Sequence, residues 1–258
     1  MTTVARRQSV SLNARVALVT GAGSGIGKAI ALVLAERGAD IAVTGRHLER
    51  LDETANAVRG LGRRALAVSA DVAASDQVRH MVKETVGYFG RIDILVNNAG
   101  HNMSVAIEEM RDDDWQRMLD VYLNGTFYCT REVVPVMKAQ GAGKIINISS
   151  LRGQIGGPGQ VCYSTAKAGL FGFTKALAKE LAPYRINVNA IAPGKVETPM
   201  ISRHSPEALD ARRREIPWQR FARSEEIGYL AAFLASEESD YITGQVLGIN
   251  GGAAIVGI

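Results

Sequence analysis

Short aliphatic and β-branched runs alternate along the chain with longer stretches in which apolar positions recur every three to four residues. The run between Arg15 and Gly21 reads as a buried strand. Gly25 to Arg37 then places Ile26, Ile30, Val33 and Leu34 at helical spacing. The same reading gives strands at Asp40–Gly45, Ala65–Ala70, Ile92–Asn97, Lys144–Ser150, Ile186–Ala192 and Gln245–Asn250. Between them it predicts helices over Leu48–Val58, from an N-cap at Ser75 to Phe89, over Trp115–Lys138 as one long helix with Pro135 near its end, and over Tyr163–Leu181. Strands joined by helical crossovers pair in parallel, and continuously apolar strands are covered on both faces. With right-handed crossovers this is a doubly wound, Rossmann-like α/β fold: a seven-stranded parallel sheet with helices on both faces. A barrel of eight βα units fits less well, because seven strands are counted and a glycine-rich turn follows the first.

No linker or repeat divides the pattern, so residues 1–258 are expected to form a single dinucleotide-binding and catalytic domain, with about residues 1–11 as a flexible N-terminal extension. The stretch from Lys195 to Ala222 breaks the alternation. It is polar, flanked by proline, and carries Arg212-Arg213-Arg214. It reads as a substrate loop with a short helix, or else as a solvated insertion.

Composition narrows the class. Hydrophobic residues make up 47% and charged residues 22% of 258, which excludes a disordered or fibrous chain. Thirty basic against 26 acidic residues leave +4, scattered along the chain, so neither nucleic acid nor a membrane is an expected partner. Cys129 and Cys162 are too few for a disulfide framework and read as reduced core residues. The N-terminal residues lack the apolar segment of a secretory signal, and the uncharged stretch from Tyr241 to Ile258 is interrupted by glycines. A soluble, cytoplasmic protein is expected, with no metal.

The turn Thr20-Gly21-Ala22-Gly23-Ser24-Gly25-Ile26-Gly27 follows a strand and opens a helix. That context gathers free N–H groups and the positive end of the helix dipole where a pyrophosphate can sit. The phosphate-loop pattern fails, because Lys28 is followed by Ala29, and the G-x-G-x-x-G spacing fails at Ile26 and Lys28. The remaining T-G-x-x-x-G-x-G is a weak signal alone, and a structural turn also explains it. The second strand ends in Arg46 with no carboxylate. A guanidinium there favours the 2′-phosphate of NADP(H) over the bare ribose of NAD(H), with NAD(H) still possible. Further on, Tyr163 and Lys167 stand at i and i+4, on one helix face. A cation within about 4–6 Å lowers a phenol's pKa by roughly 1–3 units, which would fit Tyr163 to exchange a proton with a carbonyl or alcohol oxygen. Ser150, at the end of the preceding strand, lies where its hydroxyl could hold that oxygen.

With these motifs in this order, the chain resembles the short-chain dehydrogenase/reductase family over about residues 12–252. The resemblance implies that Gly21, Ser24, Gly25, Ile26 and Gly27 bind the cofactor beside Arg46. It assigns Asp71 and Val72 to adenine and Asn98, Ala99 and Gly100, with Asn97, to the sheet and adenosine ribose. It assigns Pro193, Gly194, Val196 and Thr198 to the nicotinamide carboxamide. Ser150, Tyr163 and Lys167 match the catalytic set: Ser150 orients the substrate oxygen, Tyr163 is the acid/base, and Lys167 lowers its pKa and binds the nicotinamide ribose. Hydride transfer between NADP(H) and a carbonyl or secondary alcohol of a small or medium organic substrate follows.

One position departs from the family pattern. The family's fourth catalytic residue, an Asn that holds a relay water, aligns with Tyr122, and Asn124 lies about 200° round the helix from it. Tyr122 is tolerated at the site, or a main-chain carbonyl holds the water, or its own hydroxyl serves. Pocket-facing candidates are His101, Asn102, Met103, Leu151, Arg152, Gln154, Gly194, Met200 and Trp218. Competing readings are a 3-oxoacyl-thioester reductase, an NAD-dependent sugar or polyol dehydrogenase, and a dinucleotide sensor without turnover. Arginines that some thioester reductases of the family carry would fall at Gly141 and Tyr184, and neither is basic. The resemblance also implies a homotetramer built on the helices of Trp115–Lys138 and Tyr163–Leu181 and on the last strand region.

Overall fold

The computed structural model describes residues 10–198 and 205–256. Seven strands form one sheet: β1 (Val16–Thr20), β2 (Asp40–Gly45), β3 (Ala65–Ser69), β4 (Ile94–Asn97), β5 (Gly143–Ile148), β6 (Ile186–Pro193) and β7 (Val246–Ile249). Their order is β3-β2-β1-β4-β5-β6-β7, and every neighbouring pair is parallel. Side chains alternate between the two faces. Ala17, Val19, Ile41, Val43, Val96 and Ile146 meet α1 (Gly25–Glu36), α2 (Leu48–Gly60) and α9 (Ser224–Ala235). Val16, Leu18, Leu95, Ile145 and Val188 meet α3 (Ser75–Phe89), α5 (Gly125–Gln140) and α7 (Val161–Leu181). Both layers exclude water, which is why the strands carry so little polar patterning.

The elements differ from the pattern reading in instructive places. Ser75 is the first helical residue of α3 and not its cap. Ala74 holds the cap position without a side-chain bond, and the Ser75 hydroxyl accepts from Arg131 instead. The long helix expected over Trp115–Lys138 begins at Asp112. It consists of α4 (Asp112–Leu119), a π-helical turn (Asp120–Asn124) and α5. Strand β5 stops at Ile148, so Ser150 is not a strand residue: it caps α6 (Leu151–Ile155), its hydroxyl accepting from the Arg152 amide at 3.1 Å. Helix α9 was absent from the pattern reading. It packs on α1 so closely that a Cβ at Gly228 would lie 2.8 Å from Val33. Residues 195–222 hold the short helix α8 (Pro206–Arg214), and the ends of the segment are zipped by Glu197 N–H to the Ala222 carbonyl at 2.8 Å and Ala222 N–H to the Lys195 carbonyl at 3.0 Å. Residues 1–9 of the expected N-terminal extension and Met200 lie outside the described residues. Val10, within that extension, packs against the core and donates its N–H to Glu238.

Below the carboxyl edge of the sheet, a buried polar chain ties four elements together. Asn97 donates to Asn147 at 2.9 Å and to Thr130 at 3.3 Å, and Asn147 donates to Thr174 at 2.9 Å. Asn147→Leu leaves the Asn97 amide with Thr130 alone and takes from the Thr174 hydroxyl its Asn147 donor, in a dry layer. The variant is expected to lose about 1–3 kcal/mol of stability in urea unfolding; an unchanged midpoint would show that the chain of bonds contributes nothing net.

Candidate active site

In an open parallel sheet, ligands bind where the crossovers leave in opposite directions, beyond the carboxyl ends of the strands. Here that point lies between β1 and β4. Thr20, the last residue of β1, closes the joint. Its hydroxyl accepts from the Asn98 and Ala99 amides at 2.9 and 3.0 Å, and the Asn98 side chain donates back to the Thr20 carbonyl at 2.9 Å. Gly21 turns the chain with φ +65, and any Cβ at Gly27 would collide with the Gly21 carbonyl and the Asn98 amide. Helix α1 therefore starts almost in contact with the turn. Ser24 stands at its N-cap with no side-chain cap bond, so the first-turn N–H groups, from Gly25 onward, look into the cleft.

One cleft joins this turn to Arg46, His47 and Arg50 at the end of β2, to Asp71 and Val72 after β3, and to Ala99, Gly100 and His101 after β4. Arg46, His47 and Arg50 are exposed, and no carboxylate is paired with either guanidinium among the described residues. From the far side, Thr198 reaches over the turn: a Cβ at Gly25 would stand 3.6 Å from its methyl. Pro193 ends β6, Gly194 backs onto Asn250, and Val196 bridges to Ala222. Amide donors, a helix N-terminus and free guanidinium groups together fit a dinucleotide polyanion. His47 and Arg50 did not figure in the sequence reading, although Arg50 stands one helical turn beyond Arg46.

Around the corner, α6 and α7 bring Ser150, Tyr163 and Lys167 together. The Ser150 hydroxyl accepts from an amide, so its own proton is free to be donated, and it is hydrogen-bonded with Tyr163. Lys167 is 4% exposed. Its ammonium donates to the Ile148 carbonyl at 2.7 Å, while its own carbonyl accepts from Ser149 at 2.7 Å. The acidity of the pair differs from the expectation. Burial pushes the Tyr163 phenol up, and what pulls it back is the Ser150 hydrogen bond and the charge of Arg152, not Lys167. Burial instead brings Lys167 itself down to about 7. The helical spacing located the ammonium correctly, but taking both groups out of water costs more than their proximity returns.

Tyr122, on the π-helical turn, fills the space beside them. Its ring lies 4.1 Å from the Lys167 ammonium and meets the Tyr163 ring edge-to-face at 5.7 Å. Its hydroxyl donates to the His101 carbonyl. Of the other pocket candidates, His101 stacks on Tyr122 and is held below its ordinary pKa by burial and then by the charges of Arg117 and Arg46. Arg152 is half-buried and donates to the Gly156 carbonyl at 2.9 Å. Gln154 has its carbonyl oxygen buried without a partner among the described residues. Asn102 accepts from Gln160 at 3.2 Å, which joins the loop after β4 to the loop before α7. Trp218 is 69% exposed and stacked under Arg220 next to Gly251.

A family model described as enoyl-(acyl carrier protein) reductase matches residues 21–254. The 3-oxoacyl-[acyl-carrier-protein] reductase of Thermotoga maritima is 43% identical over 244 residues, covering 95% of this chain and 99% of that protein. The chain belongs to the short-chain dehydrogenase/reductase family. Solved structures agree with this short-chain dehydrogenase/reductase architecture. L-Sorbose reductase from Gluconobacter frateurii, complexed with NADPH and L-sorbose, superposes with a TM-score of 0.90 at 34% identity, over 94% of this chain and 97% of that one. A short-chain type dehydrogenase/reductase from Mycobacterium marinum gives 0.89 at 39% identity, over 95% and 97%. Among the described residues no helix is long and apolar enough to cross a membrane.

The buried amine carries a stability consequence. A lysine whose folded pKa is near 7, against about 10.5 unfolded, costs the fold nothing above the unfolded value. The penalty grows as pH falls from about 10.5 to about 7 and is complete below that. Cofactor-free Lys167→Met is therefore expected to be more stable than the parent in urea at pH 7, with the gain shrinking steadily toward pH 10. A gain that does not change with pH would mean that burial does not lower the Lys167 pKa.

Proposed function

We propose that this protein is an NADP(H)-dependent oxidoreductase that interconverts a carbonyl and a secondary alcohol on a small or medium organic substrate. The observation that carries the reading is the convergence of Ser150, Tyr163 and Lys167 beside the cleft of the glycine turn. The bound nicotinamide supplies or accepts the hydride. Ser150 donates to the substrate oxygen, and Tyr163 passes its proton to that oxygen in reduction. Burial holds the phenol protonated at neutral pH, which suits an acid, and the Ser150 hydrogen bond and the charge of Arg152 offset the negative charge it leaves. Gly21, Ser24, Gly25, Ile26 and Gly27 hold the pyrophosphate, and Asp71, Val72, Asn98, Ala99 and Gly100 the adenosine. Pro193, Gly194, Val196 and Thr198 hold the carboxamide. Arg46, with Arg50 and His47 behind it, reads the 2′-phosphate. The NADPH in the L-sorbose reductase structure supports this choice of cofactor.

A 3-oxoacyl thioester is the substrate class that the sequence relatives favour: 92–95% of this chain and 97–99% of each relative align with reductases named for it, at 41–43% identity. The sugar reading rests on the L-sorbose reductase at 34%. Phe127, Val161 and Tyr184 stay exposed on α5, α7 and the turn that follows α7, as do Tyr241 and Ile255 near the C-terminus. These apolar surfaces support a homotetramer, and the absence of a spanning helix among the described residues is compatible with a cytoplasmic setting.

The test is NADPH oxidation against a panel of 3-oxoacyl thioesters, simple ketones and ketoses. Tyr163→Phe is expected to lower kcat by about 10²–10⁴ with NADPH binding retained; turnover at the parent rate would remove Tyr163 from the chemistry. Arg46→Asp is expected to cost roughly tenfold to hundredfold in kcat/KM for NADPH and to spare NADH. Equal losses with both cofactors would show that Arg46 does not read the phosphate.

A further inference from the structure

The π-helical turn between α4 and α5 has no counterpart in the alternating pattern of the chain. Such turns insert one extra residue into a helix and re-aim the side chains they carry. This one delivers Tyr122 to the centre of the site, where the residue is 4% exposed. Three contacts fix it. The ring seats on Gly100, where any Cβ would collide with it. The hydroxyl donates to the His101 carbonyl. The ring face covers the Lys167 ammonium at 4.1 Å, closer than the Tyr163 ring at 5.8 Å. Met118, Cys162 and Ala166 pack around it, so the contact is dry.

An ammonium in such a place needs more than one carbonyl. The groups facing Lys167 are few. From β5 comes the Ile148 carbonyl, and from its own helix the Tyr163 ring. From the π-helical turn comes Tyr122, with His101 stacked behind it and held toward its neutral form. From α6 comes the charge of Arg152, which acts on Tyr163. Asp120, the acid on the same turn, is bonded by Gln116 at 2.9 Å and Asn124 at 2.6 Å. The electron-rich face of Tyr122 is therefore the group that compensates the charge alongside the Ile148 carbonyl.

Resting on the reading above, we propose that Tyr122 is a positioning residue with two functions: its ring holds Lys167 as a cation facing Tyr163, and its hydroxyl fastens the substrate-side loop that begins at His101 to that same cation. The loop is joined in turn to the segment before α7, through Gln160 to Asn102 at 3.2 Å and Val105 N–H to the Gly159 carbonyl at 2.8 Å. The state of the proton-handling pair and the shape of the pocket wall are thus coupled through one side chain.

The two functions separate by substitution. Tyr122→Phe keeps the ring and removes the tether. It is expected to raise KM for the carbonyl substrate several-fold while the alkaline limb of the kcat–pH profile for reduction stays in place. Tyr122→Leu removes the ring face as well. Its alkaline limb is expected to move to lower pH by about one unit, the size that a desolvated cation–π contact supports. The proposal is overturned if the limb moves equally in both variants or in neither. A second readout needs no turnover: the pH dependence of Lys167 labelling by an amine-acylating reagent in the cofactor-free protein, followed by peptide mass. Labelling is expected to set in at lower pH in Tyr122→Leu than in Tyr122→Phe, and coincident profiles would overturn the proposal. A parent protein that turns over no carbonyl substrate yet shows the labelling difference contradicts the proposed reaction and leaves the Tyr122–Lys167 contact standing.

Discussion

A lysine ammonium buried, among the described residues, without a carboxylate partner is the constraint around which this site is arranged. Removing a charge from water is expensive unless dipoles or opposite charges replace the hydration. At Lys167 the replacement is one peptide carbonyl, Ile148, and one aromatic face, Tyr122. Burial still brings the amine down to about 7, within reach of neutral pH. That placement destabilises the fold as pH falls below about 10.5, and it gives Tyr163 a neighbour whose charge changes near neutral pH. Strain of this kind is kept where a rigid surround enforces it.

The surround is the carboxyl edge of the sheet. Ser149 pins the backbone of α7 at Lys167, Asn147 ties β5 to the same helix at Thr174, about two turns further on, and Thr20 locks the loop after β4 onto the glycine-rich turn. The close approaches depend on missing side chains. Gly27 admits the Gly21 carbonyl, Gly100 admits the Tyr122 ring, and Gly153 lets α6 lie on the Lys167 backbone. Adding a single methyl at any of the three meets protein atoms, so the glycine-rich turn and the cluster of Ser150, Tyr163 and Lys167 are built by the same means.

Much of this was readable from the chain, for definite reasons. The strands are continuously apolar because helices cover both faces, and each is followed by a turn signal. The motifs at Thr20–Gly27 and Tyr163–Lys167 occupy contiguous positions, so sequence spacing and spatial proximity coincide. What was not readable depended on tertiary contacts. Helix α9 is built on Gly228, Ala231 and Ala232, small residues with little contrast in hydrophobicity, and its opening at Ser224 follows an irregular loop. The π-helical turn is a matter of hydrogen-bond register, which residue types do not encode. Ser150 reads as a strand end because it stands two residues beyond β5, whereas its capping bond decides its place. The acidity of Tyr163 was misjudged because i, i+4 spacing reveals the cation but not how much water the fold removes from both groups.

The most direct measurement is an NMR titration of the Lys167 side chain in the cofactor-free protein, with the signal assigned through a Lys167→Met control. The account predicts a midpoint near 7. A midpoint at or above about 10, the value of a solvated lysine, would contradict it.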